Sequence, residues 1–472
     1  MTTMTTRDTT FLSIEDASAA IEAGTLSPVD LTQAVLDRIE ATGAQLNSYV
    51  LVMKDTALRE AEASAERART KSRLGPLDGI PMGIKDLYDT KDAITTGGTG
   101  AYRFRVPSED CTAVARLRAA GAVIIGKTNT HELAFGGTTN NVHYGPTRNP
   151  WHLDRVPGGS SGGSGSALAA GQALGALGTD TGGSIRYPAS YCGVSGIKPT
   201  YGLSSRAGVT ALSHTLDHTG PMARTAYDCA LMLNALQGYD PLDIDSARHA
   251  PQDFVAGIGD GVAGMTLAVI PSLFPHATPA IKAAFAASIA VLEGLGARIV
   301  NVEPLAGVDD WRALVMGIIA VEANDYHEEL LKHDPPTIGA AVRTRMAAGA
   351  AMPAWKYARA LDARKMLERR MEDTLTDLGV DAYVLPSTPV TAWEIDEDPD
   401  RDSTPSRMFQ YGSIFNVSRQ PSISIPNGFD EDGLPTALMI SSAQWTDGLS
   451  MRIAHAYQQA TDWHTKRPPL FS

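Results

Sequence analysis

From residue 76 onward, short apolar runs alternate with helical patterns, and this alternation constrains the fold more than any other feature of the chain. Residues 112–120 read as a helix stopped by Gly121, and 122–126 as a buried strand. Residues 174–179, 380–385, 422–425 and 436–440 read as further strands. A closing amphipathic helix runs over 448–460, with Leu449, Ile453 and Tyr457 on one face. Strands in alternation with helices predict an α/β fold: a large mixed, mostly parallel central sheet sandwiched by helices. At 472 residues and 43% hydrophobic content, the chain is long enough to bury such a core.

Around this core the pattern differs. Residues 1–75 are expected to form an N-terminal helical layer. Two helices cover 13–43, the second opened by Ser27 and by Pro28 at the first helical position, and an exposed alanine-rich helix covers 54–72. Residues 76–470 form the core, so the whole is effectively one domain. Residues 311–375 read as a variable helical insertion, rich in Ala, Met and Arg and interrupted by Pro335, Pro336 and Pro353. Its basic run, 359–370, reads as a solvated helix face. Residues 394–405 are acidic and contain proline, the signature of a surface loop. No internal repeat is present.

A net charge of −13 argues against a general nucleic-acid or anionic-membrane surface. Cys111, Cys192 and Cys229 are odd in number and widely spaced, which favours free thiols over a disulfide framework or a zinc site. The first ten residues are polar, unlike a signal peptide, and the apolar stretch at 313–321 is too short to span a bilayer. The expectation is a cytoplasmic protein, monomeric or homodimeric, with no membrane or nucleic-acid partner.

Two glycine-rich runs carry the chemistry. Gly158, Gly159, Ser160, Ser161, Gly162, Gly163 and Ser164 form the first; Gly178, Thr179, Asp180, Thr181, Gly182, Gly183 and Ser184 form the second. A flexible linker does not fit, because an apolar segment follows the first run at once. A phosphate loop needs a lysine after the glycines, and none is there. A nucleophile elbow around Ser160 needs a buried strand before it, whereas residues 149–157 hold two prolines and several polar groups. Glycine lets backbone N–H groups converge beside a serine, which is what an acyl-transfer oxyanion requires. Thr181, Gly182, Gly183 and Ser184 offer four consecutive amides and a hydroxyl. A serine nucleophile needs a base. His152, His214 and His218 are the nearest histidines, and no motif ties them to the serines. Lys85 lies in an otherwise apolar stretch, 79–86, where desolvation lowers an amine's pKa, so it is the other candidate.

These three segments together resemble the amidase-signature family. The similarity continues through Cys192, Gly193, Val194, Ser195, Gly196, Ile197, Lys198, Pro199, Thr200, Tyr201 and Gly202, and returns at Ser424 to Gly428 and Gly433 to Pro435. It covers roughly 10–465, and the spacing of Lys85, Ser160 and Ser184 fits that family's catalytic set. The resemblance implies that Ser184 is the nucleophile, Ser160 a proton relay held by a cis peptide after Gly159, and Lys85 the neutral base. The amides of Thr181, Gly182, Gly183 and Ser184 would hold the oxyanion. Ser161, Asp180 and Arg186 would support the loops, and no metal or organic cofactor is implied. Cys192 would serve in a Glu-Lys-Cys enzyme but reads here as a core thiol. Phe135, Gly136, Thr138, Met316, Ile319, Tyr326 and Trp355 are expected to line an apolar substrate funnel.

The implied activity is hydrolysis of carboxylic amides, with carbamates or esters also in range, in small apolar or aryl substrates through an acyl-enzyme. The alternative is the glutaminase (A) subunit of a tRNA-dependent amidotransferase. A non-catalytic binding module would not keep Lys85, Ser160 and Ser184 together. By resemblance, the glutaminase subunits place an acidic residue after an aromatic to bind the glutamine amino group. Here Thr446 follows Trp445, and Asp447 comes next.

Overall fold

The computed structural model of the chain describes residues 9–306, 311–333, 335–395 and 408–469. In chain order its strands are β1 (Tyr49–Val52), β2 (Pro81–Lys85), β3 (Val123–Thr128), β4 (Asn140–Asn141), β5 (Gly145–Pro146), β6 (Gly175–Asp180), β7 (Ser195–Lys198), β8 (His218–Ala223), β9 (Thr266–Val269), β10 (Arg298–Asn301), β11 (Ala382–Pro386), β12 (Ser422–Phe429) and β13 (Pro435–Ser442). β4 and β5 make a small separate hairpin. The others form one large mixed sheet in the order β1-β3-β2-β6-β8-β7-β12-β13-β11-β9-β10. β3, β2 and β6 run parallel, as do β11, β9 and β10. The remaining neighbours are antiparallel.

Every residue of β2, β3, β6, β7, β8, β11 and β13 is buried. Burial of both faces of a strand requires cover on both sides, and helices provide it. At the N-terminus, helix Ile14–Glu22 is capped by Ser13, whose Oγ accepts from the Asp16 amide at 2.9 Å. Helix Pro28–Leu46 starts on Ser27 and Pro28 and buries Leu31, Val35, Leu36 and Ile39 on one face. Each such aliphatic side chain contributes roughly 1.5–3 kcal/mol by leaving water. Helix Lys54–Arg69 buries only Ala57, Ala61 and Ser64, as its charged composition requires.

Between β10 and β11 the chain forms helices Trp311–Tyr326, Glu328–His333, Ala340–Ala350 and Ala354–Leu378. Proline falls at the breaks. Pro335 opens a short 3-10 turn, and Pro353 is the residue before the last helix. The basic run 359–370 is not a uniformly solvated face. Arg364 is buried, donating to Glu368 at 2.8 Å and to the Val417 carbonyl at 3.1 Å. Of the surface loop expected at 394–405, only Glu394 and Ile395 are described; the rest lies outside the described residues. No helix among the described residues is long and apolar enough to cross a membrane.

This topology places the chemistry. β2 and β6 are parallel neighbours, so Lys85 at the end of one lies beside Thr179 and Asp180 at the end of the other. Sites in sheets of this kind form outside the carboxyl ends of parallel strands.

Candidate active site

Lys85 is the last residue of β2 and is fully buried. Its Nζ donates to Ser160 Oγ at 2.7 Å, Ser161 Oγ at 2.8 Å and Thr179 Oγ1 at 2.7 Å. Desolvation pulls the amine down from 10.5 to about 7, against the opposing pull of Asp180 and Asp217. A lysine in this state exchanges a proton with a bound hydroxyl near neutral pH.

The Gly159–Ser160 peptide is cis. The Ser160 carbonyl is held by the His131 amide at 3.0 Å, by Thr130 Oγ1 at 2.9 Å and by Thr139 Oγ1 at 3.3 Å. A Cβ on Gly159 would lie 2.7 Å from the backbone of Gly137 and Thr138, so only glycine fits this approach. The Ser161 amide donates to the Ser184 carbonyl at 3.3 Å, joining the two serine loops. Helix Gly162–Ala169 begins immediately afterward, packed beside β6.

The second loop is organised by Asp180. Its carboxylate accepts from the amides of Gly183 at 2.8 Å and Ile185 at 3.1 Å, the latter just ahead of helix Arg186–Cys192, whose N-terminal end favours a negative charge. Arg186 grips the same carboxylate through Nη2 at 2.8 Å and Nε at 3.0 Å, with both side chains fully buried. Burial alone would raise the Asp180 carboxyl, but Arg186 and Asn416 hold it well below the usual carboxylate range. Arg186 in turn reaches the Gly412 carbonyl and Asn416 Oδ1, each at 2.8 Å. Gly183 has φ +124°, and a Cβ there would sit 2.1 Å from the Tyr187 ring. Its amide is turned onto Asp180. The amides of Thr181, Gly182 and Ser184 have no acceptor among the described residues, which leaves three donors for an oxyanion. Lys85 and Ser160 are sealed from solvent, whereas Ser184 is 8% exposed. Of the three side chains, only that of Ser184 retains any contact with solvent.

The remaining expected residues are dispersed. Phe135 is buried under the loop, and its carbonyl accepts from Arg345 at 2.5 Å. Gly136 lies against the His131 ring, and Thr138 Oγ1 is 3.3 Å from His131 Nδ1. Ile319 is part of the main core, with Met316 packed on it. Trp355 is 54% exposed, between Lys356 and Arg359, and Tyr326 is 44% exposed beside His214. Tyr326 lines a cavity of about 250 Å³ that reaches Thr179, Asp217 and His218.

Cys192 is buried and its thiol is pushed up by desolvation, which suits a packing role. Asp447 is buried, accepting from the Thr200 amide at 2.8 Å and Thr200 Oγ1 at 2.7 Å, so it is committed within the fold. Among the described residues no group of His, Cys, Asp and Glu could hold a metal ion.

The sequence reading missed Thr179, His131, Thr139 and Asp217. Thr179 lies inside the second glycine-rich run and was open to recognition there. His131 is pushed down to about 3 by burial and then by Arg345 and Lys85, so its imidazole is neutral near Ser160. Nothing local marks it, because its proximity to Ser160 arises only from the fold.

A family model described as Amidase matches residues 30–450. The A subunit of glutamyl-tRNA(Gln) amidotransferase from Chloroflexus aggregans is 37% identical over 98% of both chains. The crystal structure of the corresponding glutamyl-tRNA(Gln) amidotransferase protein from Thermotoga maritima superposes with a TM-score of 0.81 at 30% identity, covering 96% of each chain. Peptide amidase from Stenotrophomonas maltophilia superposes with a TM-score of 0.85 at 31% identity, covering 97% of this chain and 98% of its own. These likenesses correct two expectations. Hydrolysis of small apolar or aryl amides and carbamates gives way to the alternative, since full-length relatives are amidotransferase subunits. The expectation of a small-molecule partner alone, without nucleic acid and as a monomer or homodimer, fails with it. The physical reason is that net charge describes the field of one chain and not the surface of an assembly.

Proposed function

Because the chain belongs to the amidase family, we propose that it is the glutaminase subunit of an amidotransferase that works on glutamyl-tRNA. The observation that carries this reading is the 37% identity to such a glutamyl-tRNA(Gln) amidotransferase chain over 98% of both sequences. The reaction is glutamine plus water giving glutamate and ammonia. Ser184 attacks the side-chain carboxamide carbon while its proton passes to Ser160, whose own proton passes to neutral Lys85. The amides of Thr181, Gly182 and Ser184 take the charge that develops on the carbonyl oxygen. The protonated lysine returns the proton through Ser160 to the leaving nitrogen, and ammonia departs from a glutamyl ester on Ser184. Water repeats the cycle, releasing glutamate. A transferase partner would use the ammonia to amidate glutamyl-tRNA. With Asp447 held by Thr200, the amino group of glutamine must be met by other residues.

The test is ammonia release from glutamine by the purified chain, alone and with its transferase partner and glutamyl-tRNA. The expected result is glutaminase activity that rises with the partner and delivers ammonia to the tRNA-bound glutamate. Failure to hydrolyse glutamine under either condition, with rapid turnover of an anilide, would overturn the reading.

A further inference from the structure

We propose that Asp217 and Glu322 are positioning residues that fix the oxyanion turn from behind, linking the helices between β10 and β11 to the Thr181 peptide. The proposal rests on Ser184 and its turn being the catalytic centre.

The chain of contacts is continuous. Thr181, the first residue after β6, donates its hydroxyl to Asp217 Oδ1 at 2.5 Å. This fixes the side chain of a residue whose amide has no acceptor among the described residues. The other oxygen of Asp217 accepts from the amides of Leu212 at 2.8 Å and Ser213 at 3.0 Å, closing the 212–217 loop. Ser213 Oγ then bonds Glu322 on helix Trp311–Tyr326. Glu322 also receives the Thr215 amide at 3.0 Å, the Thr215 hydroxyl, and Tyr357 OH at 2.8 Å from helix Ala354–Leu378. Four donors from two loop residues and a second helix converge on one carboxylate that is 6% exposed.

A buried carboxylate is held only where donors satisfy it, so Glu322 fixes the 212–217 loop to the helices. That loop fixes Asp217, and Asp217 fixes Thr181. Oxyanion donors act through their placement before the reaction begins, and the last link here holds the residue that carries one. Asp217 has a second effect, because its charge helps keep Lys85 protonated. Lys85 is faced by Asp180, Asp217 and the neutral His131, and Asp217 is itself faced by Arg206 and Tyr88.

The experiment measures the rate at which a fluorophosphonate labels Ser184, as a function of pH, with labelling stoichiometry counting the folded sites. Labelling needs the oxyanion turn but not a particular amide. Asp217→Asn should slow labelling of folded sites by about 10- to 100-fold and move the acidic limb to lower pH, since a negative charge beside Lys85 is lost. Thr181→Val should slow it similarly, and Thr181→Ser should restore it. Glu322→Gln should slow it by roughly 3- to 10-fold, a smaller step because it acts through two intervening links. The double variant Asp217→Asn/Glu322→Gln should be no slower than Asp217→Asn alone, because both act through one chain. An unmoved acidic limb in Asp217→Asn, or effects that multiply in the double variant, would overturn the inference and leave the nucleophile assignment standing. Wild-type label on a residue other than Ser184 would overturn both. Label on Ser184 without glutamine turnover would overturn only the glutaminase reading, leaving the positioning roles to be decided by the variants.

Discussion

Removing the Lys85 amine separates two contributions of one atom: the proposed proton store and the anchor of three hydroxyls. Below its pKa each pH unit divides the neutral fraction by ten. An ordinary lysine at 10.5 would hold about one neutral amine in 3,000 at pH 7. Lys85, lowered by burial to about 7, holds roughly one in two there. Wild-type kcat/KM for amide hydrolysis should therefore rise about tenfold per pH unit up to about 7 and level off above it. Lys85→Ala should lower amide hydrolysis by roughly 10³-fold or more, because general acid–base catalysis and the geometry of Ser160 are lost together. Its effect on an activated ester should be smaller, since that leaving group departs without a returned proton. Lys85→Arg should fail as well, because guanidinium keeps its charge. The assay is a pH–rate profile with matched amide and ester substrates, with circular dichroism confirming the fold. An acidic limb with the same midpoint in Lys85→Ala, and amide hydrolysis retained, would remove Lys85 from the mechanism.

Ser184→Ala should abolish amide hydrolysis with the melting temperature retained, and a fluorophosphonate should label Ser184 and not Ser160, Ser161 or Cys192; a tenth of wild-type rate in folded Ser184→Ala would refute the assignment. Arg186→Met leaves Asp180 charged and unpaired in a fully buried position, so unfolding in urea should show a loss of about 3–5 kcal/mol. Gly183→Ala drives a methyl into the Tyr187 ring at a backbone angle that disfavours side chains. It should lower kcat by about 10²-fold or more by displacing the turn, and steady-state kinetics on folded protein would show it.

The sequence made some elements legible and hid others for identifiable reasons. Helix Pro28–Leu46 has a serine cap, a proline start and a clear apolar stripe, and each lies where the pattern puts it. β3, β6 and β13 are nearly unbroken apolar or small-residue runs that only a buried strand accommodates. β8 is equally buried yet reads His-Thr-Gly-Pro-Met-Ala, which local propensity assigns to a turn. Pro221 pairs with Leu177 of β6, while the ladder with β7 takes in only Met222 and Ala223. β10 is short and half exposed at the sheet edge, so it carries no apolar signature. In the site, the residues within the glycine-rich runs were legible because backbone convergence leaves a compositional mark. Asp217 and His131 were not, because each acts at a distance created only when strands far apart in sequence become neighbours. Among the insertion residues, Ile319 lies in the core with Met316 packed against it, whereas Tyr326 and Trp355 are exposed. Apolar residues on a helix face the core or solvent according to packing, and composition alone does not distinguish these.

The most direct test uses a diazoketone analogue of glutamine, whose ketone carbon takes the place of the carboxamide carbon and whose diazo carbon, at the place of the amide nitrogen, alkylates the nucleophile with loss of N2. Incubated with the protein and its transferase partner, it should add one equivalent of covalent mass, mapped by peptide sequencing to Ser184. Excess glutamine should prevent the reaction, and Ser184→Ala should abolish it. Absence of the adduct, while a fluorophosphonate still labels Ser184 fully, would contradict the claim that this site is built for glutamine.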